Sequence, residues 1–384
     1  MSMSRRRFIA VLGGGVVVAA GASVGGFVAT RTAHRALEPW SRAGTAYTEP
    51  RRRALSYAIL APNPHNRQPW IVDLDVADEV RLFVDTSRLL PETDPFSRQI
   101  TVGLGCFLEL MTQAAREDGY AVETVLFPEG FDDTELDARP VAVARFAKAE
   151  GIEPEPLFAE VLQRRSLKEP YNTSRAVSSE TLAALEAVVT PPIRVGTTND
   201  AARVEALRDL TWDAWEVEYR TPSKLGESID VMRFGKQAIE ASPDGIDMGG
   251  AFLEGLMVAG LLTPEAMRDP ESTSFAQGLT KFREVCYTSM AFVWLVTEGN
   301  TRIDQIEGGR AWSRVNLAAT RAGLGVQPMS QALQEFPEMR EQYDAAHALL
   351  APDGGTVQML GRLGYAAAVP PSPRWPLEAK IRNA

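Results

Sequence analysis

The 384-residue sequence predicts an α+β fold in which two fused halves form an internal pseudo-dimer. Three observations carry this expectation. Each half repeats a strand, a long apolar-faced helix and further strands, and in each the helix stops at a glycine, Gly119 or Gly323. A loop dense in turn formers and amides occurs only in the first half. A cluster of basic residues occurs only in the second, so neither half holds a full set of chemistry-bearing residues.

In chain order, Ser4-Arg5-Arg6-Arg7-Phe8-Ile9 opens an uncharged run over residues 8–30, the pattern of a twin-arginine export signal. A run of that length also suits an uncleaved membrane anchor, and the two readings stay open. The expected divisions are a leader at 1–40, a first half at 41–150 and a second half at 151–384. Leu55, Ala58 and Ile59 give residues 50–60 helical spacing, and residues 71–74 alternate like a strand. A strand at 80–85, a helix at 99–117 and strands at 122–127 and 141–146 complete the first half.

The second half begins with a helix-like stretch at 156–163 and a helix running to 187 that Ser178 or Ser179 can cap. A strand at 193–195 and a helix at 202–219 follow. Residues 220–282 are apolar yet punctuated by glycines, and read either as extra core helices or as a lid. A strand at 291–296, a loop holding Asp304 and Glu307, a helix at 310–321, the segment 324–329 and a strand at 356–363 end the pattern.

With 45% hydrophobic residues the chain can bury large cores. Its formal charge is −10, although five arginines lie in the leader, and so acidic a body excludes nucleic acid as a natural partner. Cys106 and Cys286 sit in apolar patterns and read as core thiols. His34, His65 and His347 are scattered without partners at ligand spacing, so no metal site is expected.

Ala61-Pro62-Asn63-Pro64-His65-Asn66-Arg67-Gln68-Pro69-Trp70 joins a helix to a strand, and its prolines should hold it extended with polar groups facing outward. Arg164-Arg165-Ser166-Leu167-Lys168 concentrates cations in an acidic chain, and guanidinium groups bind phosphate bidentately. The first segment resembles the FMN-edging loop of the nitroreductase superfamily. The second resembles that superfamily's flavin-binding Arg-x-Ser-x-Lys element. Ala322-Gly323-Leu324-Gly325-Val326-Gln327-Pro328-Met329 resembles its flavin-facing turn, and Arg374-Trp375-Pro376 its terminal basic element.

This resemblance implies a nitroreductase-like fold, a non-covalent FMN and two-electron oxidoreductase chemistry toward a quinone, nitroaromatic or similar acceptor. The implied cofactor-binding residues are Pro62, Asn63, Pro64, Asn66, Arg164, Arg165, Ser166, Lys168, Gln327, Pro328, Met329 and Arg374. No protein nucleophile is implied, because flavin N5 is the reacting atom; Lys168 would place positive charge near N1 and tune the potential. Ordinary members build each FMN site from two chains. Here the loop and the cationic elements divide between the two halves of one chain, so the expectation is a fused, Acg-like, single-site monomer. Its partners would be a small-molecule electron donor and acceptor, with the export machinery acting on the leader. The alternative is a lidded FMN-storage protein with little turnover.

Overall fold

The computed structural model describes residues 30–382. The leader motif and all but the last residue of the uncharged run lie outside them. Helix α1 (His34–Arg42) leads to α2 (Pro50–Ala58), which starts well because Glu49 accepts the Arg52 N–H at 2.9 Å and Pro50 needs no partner for its missing donor. The sheet of the first half then runs β1 (Trp70–Asp73) and β2 (Glu79–Val84). It continues after helix α3 (Arg98–Glu117) with β3 (Tyr120–Leu126) and β4 (Ala142–Lys148). The Asp94 carboxylate accepts the Gln99 and Ile100 N–H groups at 3.1 and 2.9 Å, satisfying donors that the first turn of α3 would otherwise leave open.

The second half holds α4 (Ser179–Glu186), capped by Ser178, then β5 (Arg194–Thr198) and α5 (Ala201–Arg220). Next come α6 (Pro222–Asp230), β6 (Met232–Phe234), α7 (Gly235–Ala241), β7 (Ile246–Met248), α8 (Ala251–Val258), α9 (Pro264–Arg268) and α10 (Thr273–Tyr287). Strand β8 (Ala291–Thr297), helix α11 (Arg302–Arg321), β9 (Gly325–Pro328), α12 (Arg340–Leu350) and β10 (Thr356–Gly364) close the chain.

Both four-stranded sheets are antiparallel throughout and share one order: first strand, second, fourth, third. Between them α3 and α11 cross, and the crossing is close because each contributes a glycine. A Cβ on Gly105 would lie 2.1 Å from the Ile306 carbonyl oxygen; one on Gly309 would lie 2.0 Å from that of Val102. Both glycines stand seven residues into their helices, and each helix begins with a fully buried arginine, Arg98 or Arg302. One apolar core extends from Leu55 and Phe107 in the first half to Trp312 and Leu363 in the second.

Three details differ from the sequence reading. Helix α11 starts at Arg302, so Asp304 and Glu307 are helical; Thr301 and Asp304 form a reciprocal cap, and Gly308-Gly309 are held helical by packing rather than propensity. Residues 30–40, assigned to the leader, include part of α1, whose Ala36 and Trp40 are buried; Arg374 N–H donates to the Ala36 carbonyl at 2.8 Å. The folded body therefore begins inside the segment read as leader. Finally, the 220–282 insertion divides: Leu225, Ile229, Met267 and Phe275 join Trp215 and Tyr219 in a core of their own, whereas residues 243–248 lie against the Pro62–Trp70 loop. Among the described residues no helix is long and apolar enough to cross a membrane.

Candidate functional site

The loop after α2 is a tight turn, not the extended segment the prolines suggested. His65, Asn66 and Gln68 all take left-handed backbone angles, with φ of 45, 51 and 50°. Three such non-glycine residues in four are costly, and their neighbours hold them there. Asn63 accepts the Gln68 N–H at 2.7 Å and donates to the Ala61 carbonyl at 3.1 Å. Gln68 donates to the Pro243 carbonyl at 2.7 Å and accepts the Trp375 N–H at 2.9 Å. Gly103 of α3 gives the turn its seat, since a Cβ there would sit 3.1 Å from that of Asn63.

The C-terminal segment locks the turn. Arg374 donates to Asn66 Oδ1 at 2.6 Å and to the Leu60 and Ala61 carbonyls at 3.1 and 3.2 Å. Arg164 donates to the same Leu60 oxygen at 3.0 Å. The two guanidinium groups thus meet on one carbonyl although they lie 210 residues apart in sequence. Both are 2% exposed. Arg165 and Arg374 both approach Trp40: the guanidinium of Arg165 lies 4.7 Å and that of Arg374 5.5 Å from the ring centre.

Among the described residues no carboxylate pairs with Arg164, Arg165 or Arg374, and Arg164 Nε and Nη1, Arg165 Nε and Arg374 Nε are buried without a partner. Burial, then the neighbouring cations, push Arg374 down to about 9; burial and Arg165 push Arg164 down to about 10, with Cys106 opposing. Clustered buried cations without counter-charge are costly. An anion with several oxygens would satisfy the orphaned donors and remove that cost.

Ser166 and Lys168 adjoin this cluster. The Arg164–Lys168 segment lies beside β9, with Ser166 bridged to Val326 and Leu167 N–H donating to the Val326 carbonyl at 2.8 Å. Lys168 remains solvent-accessible but is walled by protein, which lowers its pKa; Asp247 opposes the shift. His65 is pushed down to about 4 by burial, then by Lys168 and Arg67, and its Nδ1 has no partner among the described residues. The loop of the first half and the cations of the second therefore converge within one chain.

Other candidates from the sequence go elsewhere or act indirectly. Met329 is buried in the second core and Gln327 accepts from Arg362 Nε at 2.7 Å, so neither side chain joins the arginine cluster; Pro328 is half-buried between them. Pro62 is buried under the turn and Pro64 starts it, while Asn63 and Asn66 spend their amides inside the protein. The sequence reading missed Trp40, which lay in the segment set aside as leader, and Asp244. That carboxylate is buried among Arg67, Arg88 and Arg233; burial would raise its pKa, but the Ser242 hydroxyl, Arg88 and Arg233 outweigh it and hold it low. A cavity of about 290 Å³ adjoins Arg374 on the far side, lined by α1 residues, Tyr47, Glu240 and Trp375.

No family model matches the chain. The chain is 26% identical over 339 residues to "Putative NAD(P)H nitroreductase acg" of Mycobacterium tuberculosis, covering 85% of this chain and 93% of that protein. A second protein of that organism with the same description is 25% identical over 332 residues, covering 84% and 88%. In both cases the similarity spans most of either chain. Among solved structures, the FMN-dependent nitroreductase NfnB from Mycobacterium smegmatis, in complex with NADPH, is 20% identical, covers 58% of this chain and 95% of its own, and has a TM-score of 0.36. The FMN- and NADPH-dependent NfnB from a Sphigopyxis strain is 14% identical, covers 59% and 98%, and has a TM-score of 0.37.

Proposed function

We propose that this protein is an FMN-dependent oxidoreductase of the nitroreductase superfamily, with one cofactor site assembled from both halves of the chain. The observation that carries this reading is the pair of buried guanidinium groups, Arg164 and Arg374, with half-buried Arg165 beside them, whose free donors and missing counter-charge fit a phosphate. The shared sheet order and the paired glycines at the α3–α11 crossing support an internal pseudo-dimer. The turn at residues 62–70, absent from the second half, then limits the pseudo-dimer to one site.

When bound, FMN supplies the exchange of two electrons at its ring, between a reduced nicotinamide or other small donor and a quinone or nitroaromatic acceptor. The protein's own residues position and tune. Arg164 and Arg374 anchor the phosphate while clamping the carbonyls of Leu60 and Ala61, so anchor and turn are one rigid unit. Ser166 would offer a hydroxyl, and Lys168 a positive charge that would favour the reduced, anionic flavin. His65, neutral at pH 7, adds no competing charge. We further propose that residues 1–29 direct export by the twin-arginine route, with the folded, loaded protein on the outer face of the membrane.

The test is extraction of the purified protein's flavin, identified by mass and counted against chain concentration. One FMN per chain supports the reading. Two per chain would refute the single composite site, and a colourless protein that does not take up FMN would refute the cofactor.

A further inference from the structure

We propose that helix α8 lies on the surface of a lipid bilayer, as a second membrane contact beside the N-terminal apolar run. Its sequence, Ala251-Phe252-Leu253-Glu254-Gly255-Leu256-Met257-Val258, carries one charge, and that charge points inward. Glu254 is 6% exposed; it accepts the Lys236 N–H at 2.9 Å and Arg31 Nη1 at 2.9 Å. Phe252 and Val258 are instead 57% and 82% exposed. Exposed Ala259 and Gly260 and half-exposed Leu261 follow directly after the helix.

This is a surface helix turned inside out: a helix facing water buries its apolar stripe and exposes its acids. Among the described residues none of α8's apolar side chains joins a core cluster. An exposed apolar patch on this scale marks an interaction surface.

Its place in the chain identifies the partner. The uncharged run 8–30 ends where α8 sits, since Lys236 Nζ donates to the Thr30 carbonyl at 3.1 Å and the next residue, Arg31, pairs with Glu254. A run of that length can span a bilayer. If it spans, Thr30 and α8 stand at the bilayer surface together. Arg31, Arg35 and Lys236 lie between run and body, where basic residues meet anionic headgroups. Covering of α8 by the run itself fits less well, because a run apolar on all sides would still expose most of its surface to water.

The experiment uses the full chain in vesicles of phosphatidylcholine and phosphatidylglycerol, with a nitroxide on Val258→Cys, on Phe252→Cys, or on the exposed control Asp133→Cys. Cys106 and Cys286 are buried, so the label goes to the new thiol. Collision rates with oxygen and with a neutral nickel chelate are read by power saturation. Contact with lipid predicts an oxygen-to-nickel ratio several-fold higher at 258 and 252 than at 133. Low rates for both reagents at 258 and 252 would mean a protein cover, either the chain's own run or a second copy, and would overturn the proposal. A nickel-dominated, water-like result would overturn it too. The readout is independent of flavin, so its failure would leave the cofactor assignment standing.

Discussion

Arg164→Met should move stability and cofactor affinity in opposite directions. The side chain is buried without a counter-charge, and its pKa of about 10 against an ordinary 12.5 measures what charging it costs in the flavin-free protein. At about 1.4 kcal/mol per unit that cost is on the order of 3 kcal/mol. Methionine fills similar volume without charge and forfeits the Leu60 hydrogen bond, worth about 1 kcal/mol. Flavin-free Arg164→Met should therefore gain roughly 1–2 kcal/mol in urea unfolding. FMN binding, followed by quenching of flavin fluorescence, should lose a charge-assisted contact of about 1.5–3 kcal/mol and weaken roughly ten- to a hundredfold. A purely structural arginine predicts the reverse, a destabilised protein with unchanged affinity, and that result would refute the reasoning.

Three further outcomes can be checked separately. Glu218 is raised to about 7 by burial, against the Gln334 amide at 2.8 Å, so the folded state keeps a proton that the unfolded state releases. Stability should then fall as pH rises from about 4.5 to 7 and level off above; Glu218→Gln should flatten that slope and gain on the order of 3 kcal/mol above pH 7, and a parallel pH dependence of the two proteins would disprove it. Gly309→Ala places a methyl 2.0 Å from a backbone oxygen, and because neither helix can yield cheaply it should cost at least ~3 kcal/mol in urea unfolding; an unshifted midpoint would mean the crossing is loose. Lys168→Ala should lower the two-electron potential of the bound flavin more than it weakens binding, and an unmoved potential would place the ammonium away from the ring.

The sequence carried most of the sheet and both central helices, because alternation and helical periodicity are local signals. It misplaced the start of α11 because Gly308-Gly309 look like a break; only the partner glycine, Gly105, explains why a helix continues there. The chemistry-bearing segments were legible as residue types, but not in how they engage. Asn63 and Asn66 read as ligands, and the structure also gives them hydrogen bonds within and beside a strained turn. Met329 read as a cofactor-binding residue, and its side chain lies in the second core. Trp40 was invisible once a leader boundary had been drawn at residue 40, since nothing local separates a helix that docks from one that is discarded.

The insertion shows how far composition can mislead. Read as one apolar block, residues 220–282 are either lid or core; the structure divides them between an aromatic core and a stretch packed on the turn. Helices α6, α9 and α10 anchor against Trp215 and Tyr219, and such packing does not open without unfolding its neighbours. The stretch from Arg233 to Asp247 lies against the turn, held by polar groups and by apolar contacts, with Phe234 packed on the aromatic core and Ile239 buried beside Ala33 and Ala36. Gly245 N–H donates to the Asn66 carbonyl at 3.0 Å, a contact only glycine permits, since φ is 78° and a Cβ would lie 2.0 Å from the Val231 oxygen. Asp244 ties the stretch to Arg67 and Arg88 and also pairs with Arg233 within it. The stretch is therefore part of the turn's own support: Gln68 donates to the Pro243 carbonyl and Asp244 holds Arg67 and Arg88, so loosening residues 233–247 should disturb the turn as well as the insertion.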